Sequence, residues 1–299
     1  MDHDDVIARL SPESSSGPMK PRQILLVLGV LLAILVIWQI AKPVPTTGDW
    51  QKALSVLSTA EFNGNLVTVK NVRNFRYEGA ETEETSIPSY YDKTYDLNKL
   101  TRVWFISDPF KENELAAHTF VSFEFSNGDF LSITIEARKL VGQKYSLIKG
   151  AFHTYPLMYI AADERDSILV RTNIRKDQVY LYPVKTTTPQ KARALLVDML
   201  EEMNSLSVKP QWYNTIWDNC TSRIAYHINR VTPHRIPDLN LASFVTGFAD
   251  RFAYDEGLID TDLSFEDART KFAITKKAQE IGRVDDFSQK IREFTPEPR

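Results

Sequence analysis

Residues 118–136 read HTFVSFEFSNGDFLSITIE, from His118 to Glu136. Two β-rich runs, 118–125 and 129–136, flank Ser126-Asn127-Gly128. A three-residue loop with glycine in the left-handed position is a common bulged hairpin. It sets Phe123 opposite Leu131, Val121 opposite Ile133 and Thr119 opposite Ile135, apolar against apolar. Ser122 then faces Ser132 and His118 faces Glu136 on the other side. A two-residue Asn-Gly turn would mate Val121 with Thr134 and Phe123 with Ser132 instead. Side chains alternate with period two, so a slip of one residue exchanges the two faces. The first register keeps like with like, and it is the one expected.

Further strands are expected around this hairpin. Leu66-Val67-Thr68-Val69 and Arg73–Tyr77 alternate, and Val103–Ser107 is a short apolar run ended by Asp108-Pro109. Ser167–Arg171 and Gln178–Pro183 read as two more, and the acidic stretch 78–92 as a loop. Helices follow late. Thr188-Pro189 is a cap with proline at the first helical position, opening a helix to about Leu206 that aligns Leu195, Leu196, Met199, Leu200 and Met203. A second helix begins near Asn219-Cys220, with Ile224, Ile228 and Val231 at helical spacing. From Thr270 the chain is charged and helical in pattern. Strands first and helices late imply an α+β fold.

Upstream, every residue from Ile24 to Trp38 is apolar or glycine, and Gln39-Ile40-Ala41 extends the run to bilayer-spanning length. The sequence therefore divides into a disordered cytoplasmic tail (1–22), a transmembrane helix (23–41), a linker (42–49), a domain (50–270) and a charged helical tail (271–299). A cleaved signal peptide is the alternative. It is disfavoured by the long region before the helix and by the lack of a small-residue pair at its end. Arg9, Lys20 and Arg22 precede the helix and Lys42 and Lys52 follow it, a slight bias toward an outward-facing domain.

Composition narrows the partners. The net charge of -3 over 299 residues carries no basic excess for nucleic acid. One cysteine permits neither an intrachain disulfide nor a cysteine-rich zinc site. No cofactor and no metal is implied. The run Asp163-Glu164-Arg165-Asp166 reads as a solvated turn with internal ion pairs, and Arg165 argues against a cation site. Asn71, Arg73 and Asn74 form a polar group without an assigned role, and Arg138, two residues after Glu136, is placed to pair with it or with an anion.

The remaining chemistry gathers on Cys220. Capped by Asp218 or Asn219, it starts a helix, where the dipole favours thiolate. A lone cysteine is also commonly a small buried hydrophobe. A nucleophilic thiol needs a base, usually histidine. His3 lies in the tail, His234 beside Pro233 in a loop, and His227 seven residues along the Cys220 helix, about 10 Å up its axis. His118 ranks first because Glu136 faces it and a carboxylate fixes and supports an imidazolium. His153 ranks second.

Several stretches resemble the Lnb N-terminal periplasmic domain family: 71–77 (NVRNFRY), 118–123 (HTFVSF), 135–138 (IEAR), 162–166 (ADERD) and 212–221, with WYNT followed by NCT. The resemblance covers roughly residues 50–258, with motif order kept throughout. It implies a domain outside the bacterial inner membrane and a fold similar to circularly permuted papain-like enzymes of the NlpC and lecithin:retinol acyltransferase kind. It also implies an acyl-transfer role in lipoprotein N-acylation, with Cys220 as nucleophile and His118 as base; Glu136 as orienting residue rests on the hairpin register. The namesake carries further membrane-spanning helices after this domain, whereas here the only such segment precedes it. The reading is thus a membrane-anchored Cys-His enzyme acting on a lipid-linked or lipoprotein substrate at the inner membrane. A peptidoglycan amidase or peptidase and a non-catalytic binding or scaffold domain are the alternatives; the sequence leaves the oligomeric state open.

Overall fold

The computed structural model describes residues 19–294, apart from 112, 186–187, 233–235 and 238–244. The chain falls into two compact units, Met1–Pro43 and Val44–Arg299. The first contains helix α1 (Pro21–Ala41), whose apolar side chains are exposed along its length. It is long and apolar enough to cross a membrane.

The second unit is α+β. Among the described residues it contains one eight-stranded sheet: β1 (Thr59–Asn63), β2 (Leu66–Arg73), β3 (Tyr90–Asp96), β4 (Leu100–Phe110), β5 (Asn113–Phe125), β6 (Phe130–Ala137), β7 (Leu157–Ala162) and β8 (Tyr180–Pro183). The order is β1-β2-β7-β6-β5-β4-β8, with β3 also paired to β2. Neighbours are antiparallel except β2 and β7, which meet in parallel at Arg73 and Ala162.

Period-two alternation sorts the strand residues onto two cores. Val103, Phe105, Val121, Phe123, Leu131 and Ile133 face one side. There they meet α4 (Pro189–Val208) through Leu195, Leu196, Met199 and Leu200, and α5 (Cys220–Val231) through Ile224. Trp104, Ile106 and Phe120 face the other side. This second layer includes α3 (Glu164–Ser167) and the C-terminal helices α8 (Thr275–Ile281) and α9 (Phe287–Lys290). The stretch expected as a charged tail thus supplies Ala278, Phe287 and Ile291 to a core. The first core also takes Ala249 and Ala253 from α6 (Ala249–Asp255) and Ala268 from α7 (Phe265–Lys271), while α2 (Leu147–Ala151) connects β6 to β7.

The expected hairpin register is observed: Phe123 pairs with Leu131, Val121 with Ile133 and Ser122 with Ser132. The ladder stops at Phe120 and Thr134, however, short of the expected Thr119–Ile135 and His118–Glu136 pairs. Each strand stays paired on its other side, β5 with β4 as far as Pro109↔Ala117 and β6 with β7 as far as Ala137↔Leu157. The two strands therefore part at this end of the sheet.

Three expectations need correction. β4 runs through Asp108-Pro109 instead of ending there, because β8 pairs only with Trp104–Ser107 and proline's missing N–H costs no ladder bond beyond that. Residues 167–171 are helical, not a strand. Asp163 caps α3 by accepting from the Arg165 N–H, and the helical path continues into a wide turn, Val170–Arg175. The 78–92 loop is cut short, with Tyr90 already in β3.

Candidate active site

The gap where β5 and β6 part is one wall of a cleft of about 420 Å³, and the start of α5 is another. Asn219 builds that helix start. Its side chain accepts from the Ser222 N–H at 2.9 Å, and the Ser222 hydroxyl accepts from the Asn219 N–H at 2.9 Å. This reciprocal cap puts Cys220 at the first helical position, where orphan N–H groups and the dipole favour an anion.

Cys220 is buried, which by itself would push its pKa up. The neighbouring imidazolium of His118 outweighs burial and draws the thiol below its ordinary value. The partner shift is consistent. Burial works against the imidazolium, yet the charge and contact of Glu136 and the charge of Cys220 push His118 up to about 9. Burial likewise opposes ionisation of Glu136, but His118 and Arg171 hold its carboxyl well below the usual range. The three groups favour thiolate, imidazolium and carboxylate together.

Distances show how the imidazole is held. Its Nε2 lies 2.6 Å from Thr134 Oγ1 and 3.2 Å from Glu136 Oε1. The Thr134 hydroxyl donates to that same Glu136 oxygen at 2.8 Å. Because the Thr134 hydroxyl donates to Glu136, Nε2–H donates toward Thr134 and Glu136. The His118 ring also stacks on Phe120 at 5.8 Å. Behind Glu136, Arg171 reaches its carboxylate at 3.6 Å and Asp108 at 3.1 Å. Asp108 is fully buried, and burial raises its pKa against the pull of Arg171. Tyr145, Tyr213 and Asn219 complete the polar lining beside the cysteine.

His118, Glu136 and Cys220, the residues singled out from sequence, therefore converge. Thr134, Arg171, Asp108, Tyr145 and Tyr213 were not singled out. Thr134 alone carried a signal, since it shares a strand face with Glu136 two residues away.

The other candidates lie elsewhere. His153 has φ of +47° and stacks on Trp212 at 5.8 Å, and it is not among the described residues lining the cleft. His227 is sealed between Tyr159 Oη at 2.7 Å and Asp198 Oδ2 at 2.6 Å. His3 and His234 fall outside the described residues. Arg138 does not pair with Glu136. It donates to the carbonyls of Leu54 and Ser55 and lies over Trp50, because at this end its strand pairs with β7 and turns under the N-terminal segment.

The acidic run is buried instead of solvated, although the expected internal ion pair forms between Arg165 and Asp163 at 2.8 Å. Asp163, Glu164 and Asp166 are buried, and each has a partner. Asp166 takes Arg73 at 2.8 Å, the Phe75 N–H and the Tyr77 hydroxyl. Glu164 takes Arg292 at 2.8 Å, and Asp163 takes Tyr91 at 3.0 Å. This network also gives Arg73 its role. Among the described residues no group of three His, Cys, Asp or Glu side chains is arranged to hold a metal ion.

A second, larger cavity of about 490 Å³ lies along α5. Its wall is mostly apolar, including Phe105, Val121, Ile224, Ile228 and Phe252, and it begins at Thr221, the residue after the cysteine. Thr221 Oγ1 lies 3.0 Å from Thr119 Oγ1 on β5.

The profile of the Lnb N-terminal periplasmic domain matches residues 87–245, a span holding His118, Thr134, Glu136 and Cys220. The chain belongs to this family. The buried thiol, the imidazole and its carboxylate all fall within the Lnb domain, whereas α1 precedes it. Searches among curated proteins and among solved structures returned no match.

Proposed function

We propose that this Lnb-family chain is a membrane-anchored thiol acyltransferase, with Cys220 as nucleophile, His118 as general base and Glu136 as the residue that orients and supports the imidazolium. The observation that carries this reading is the convergence of Cys220, His118 and Glu136 on one cleft of about 420 Å³, where the thiol is shifted down and the imidazole up to about 9. A purely structural cysteine in an apolar setting has its pKa raised.

In the first half-reaction the Cys220 thiolate attacks the carbonyl carbon of an acyl ester. The oxyanion is met by N–H groups of the first turn of α5. The ester C–O bond breaks, and the leaving alkoxide takes the proton from His118, giving a thioester and an alcohol. In the second half, an acceptor amine attacks the thioester, His118 takes its proton, and the thiolate returns as the amide departs. Glu136 stays ionised throughout, acting on Nε2 directly and through Thr134.

A lipid-linked substrate is supported by the apolar cavity of about 490 Å³ that begins one residue past Cys220. Its size suits a bound chain. We assign α1 to the bacterial inner membrane with the domain in the periplasm, the amino group of a lipoprotein as acceptor, and a permuted papain-like relationship for the fold.

The test is the acylation state of lipoproteins in cells carrying Cys220→Ala or His118→Ala in the full chain. Loss of the N-acyl group in both supports the proposal, and unchanged acylation in both sinks it. Digestion of purified cell wall that depends on Cys220 would move the same residues to a peptidoglycan amidase or peptidase.

A further inference from the structure

The segment 138–152 leaves β6, turns at Gly142, forms α2 and returns toward β7. It exposes apolar side chains to an unusual degree: Val141 is 56% exposed, Ile148 73% and Phe152 57%. The adjoining loop adds Trp217 at 59%. These are not loose ends of chain. The Thr215 hydroxyl donates to the Leu147 carbonyl at 2.9 Å, and Asn214 Nδ2 donates to the Ala151 carbonyl at 3.2 Å. The exposed apolar side chains are therefore carried on a braced surface. Scattered exposed apolar residues need no explanation, but a cluster held in place marks an interaction surface.

Its charge has one sign along this segment. Residues 137–162 include Lys139, Lys144 and Lys149 and contain no Asp or Glu. Asp218, beside Trp217, is engaged by Arg223 at 3.4 Å, and Asp49 is the acidic residue beside Val141. Lysines interleaved with aliphatic and aromatic side chains are the composition of a lipid-interface binder.

The cleft shares this edge. Tyr145, Leu147 and Thr215 line it together with Cys220. The chain arriving from α1 is fastened here too. The Gln51 N–H donates to the Lys139 carbonyl, the Val141 N–H donates to the Asp49 carbonyl, and Trp50 bridges to Leu140. Seven residues separate Ala41, the last of α1, from Asp49. At full extension they span at most about 30 Å.

We propose that the surface bearing Val141, Ile148, Phe152 and Trp217 docks into the headgroup region of an anionic bilayer, with Lys144 and Lys149 against lipid phosphates. The mouth of the Cys220 cleft then opens at the lipid, and substrate reaches the thiol without crossing water. This docking does not depend on the acyl-transfer reading.

The test uses the full chain carrying Cys220→Ala, so that one introduced thiol can take an environment-sensitive fluorophore. Single variants Ile148→Cys, Phe152→Cys and Lys276→Cys are labelled, the last on exposed α8 as a control. Each is reconstituted into vesicles of phosphatidylcholine with or without phosphatidylglycerol. At positions 148 and 152 the emission should shift to the blue and brighten at least about twofold over position 276, more so with the anionic lipid. Lysines 144 and 149 changed together to Glu should reverse that dependence. Equal emission at all three positions overturns the proposal. Brightening insensitive to lipid composition but lost on dilution of protein within the vesicles overturns it in favour of a protein partner. Both outcomes leave the chemistry of Cys220 untouched, so failure here is distinct from failure of the enzyme assignment.

Discussion

His118 and His227 are both buried, and each has one hydroxyl and one carboxylate partner. Thr134 and Glu136 serve the first; Tyr159 and Asp198 serve the second. Yet His118 is pushed up to about 9, while His227 falls below its ordinary value. Burial lowers both. The difference lies in what else surrounds the ring. Around His118 the Glu136 charge is joined by the thiol of Cys220, which becomes anionic. Around His227 the nearby guanidinium of Arg223 opposes a second cation. The same pair of side-chain partners can thus hold a charged imidazole at a cleft or a neutral strut inside a helix layer.

The sharpest way to break this comparison is to remove each ring. Cys220→Ala and His118→Ala should each lower acyl transfer by about 10⁴-fold or more, as loss of a nucleophile or its base does. His227→Ala should leave the catalytic rate within about tenfold and instead cost roughly 1–3 kcal/mol of stability, since it strands a buried Asp198 and Tyr159. Turnover and chemical denaturation of the same three variants check this. A His227 variant as inactive as His118→Ala, at unchanged stability, would break it.

Glu136→Gln should come next, with a loss of about 10²-fold. His118 should then titrate closer to its ordinary value near 6.5, read from the imidazole signals by NMR. The pH dependence of stability follows from the sign of each shift. His118 has a raised folded pKa, so its contribution is fully present below about 6.5 and is lost as pH rises through about 9. His227 has a lowered folded pKa, so its contribution is present above about 6.5 and fades as pH falls through the folded value. Glu136→Gln should flatten the alkaline limb of the denaturation profile, leave the His227 step in place, and remove the stability that Glu136 itself loses at more acid pH.

A smaller effect separates Thr134 from Glu136. Thr134→Val removes the hydroxyl between imidazole and carboxylate but leaves the 3.2 Å contact of His118 with Glu136. Activity should fall about tenfold and return with Thr134→Ser, in keeping with one lost hydrogen bond. Smallest of all, the alkylation rate of Cys220 at neutral pH should be indifferent to Arg138→Gln, because Arg138 contacts Leu54 and Ser55 instead of the site. His118→Ala should slow the same alkylation at least tenfold.

Much of the site was legible because its signals are local. The alternation of 118–125 against 129–136 gives the register, and with it the meeting of His118 and Glu136. Asn219 before Cys220 marks the helix start. Apolar spacing in 189–206 and 220–231 places the two helices that cover one face of the sheet. The acidic run 163–166 shows its internal Asp163–Arg165 pair in the sequence but not its burial, because a sequence window shows charge but not distant countercharges. Arg73 and Arg292, which neutralise Asp166 and Glu164, lie 93 and 128 residues away. The strand expected at 167–171 failed for a related reason, as Asp163 caps a helix there while also being held by Tyr91 from another strand.

By itself, then, the sequence determined an apolar helix long enough for a bilayer, an α+β class, a hairpin register and a cysteine at a helix start. Each follows from periodicity or capping, which act over a few residues. Only the tertiary structure decided that β5 and β6 part at Phe120 and Thr134, opening the gap in which a helix-borne thiol meets a strand-borne imidazole. That meeting joins residues about a hundred positions apart, and its energetics depend on a shared desolvated volume that no local pattern encodes.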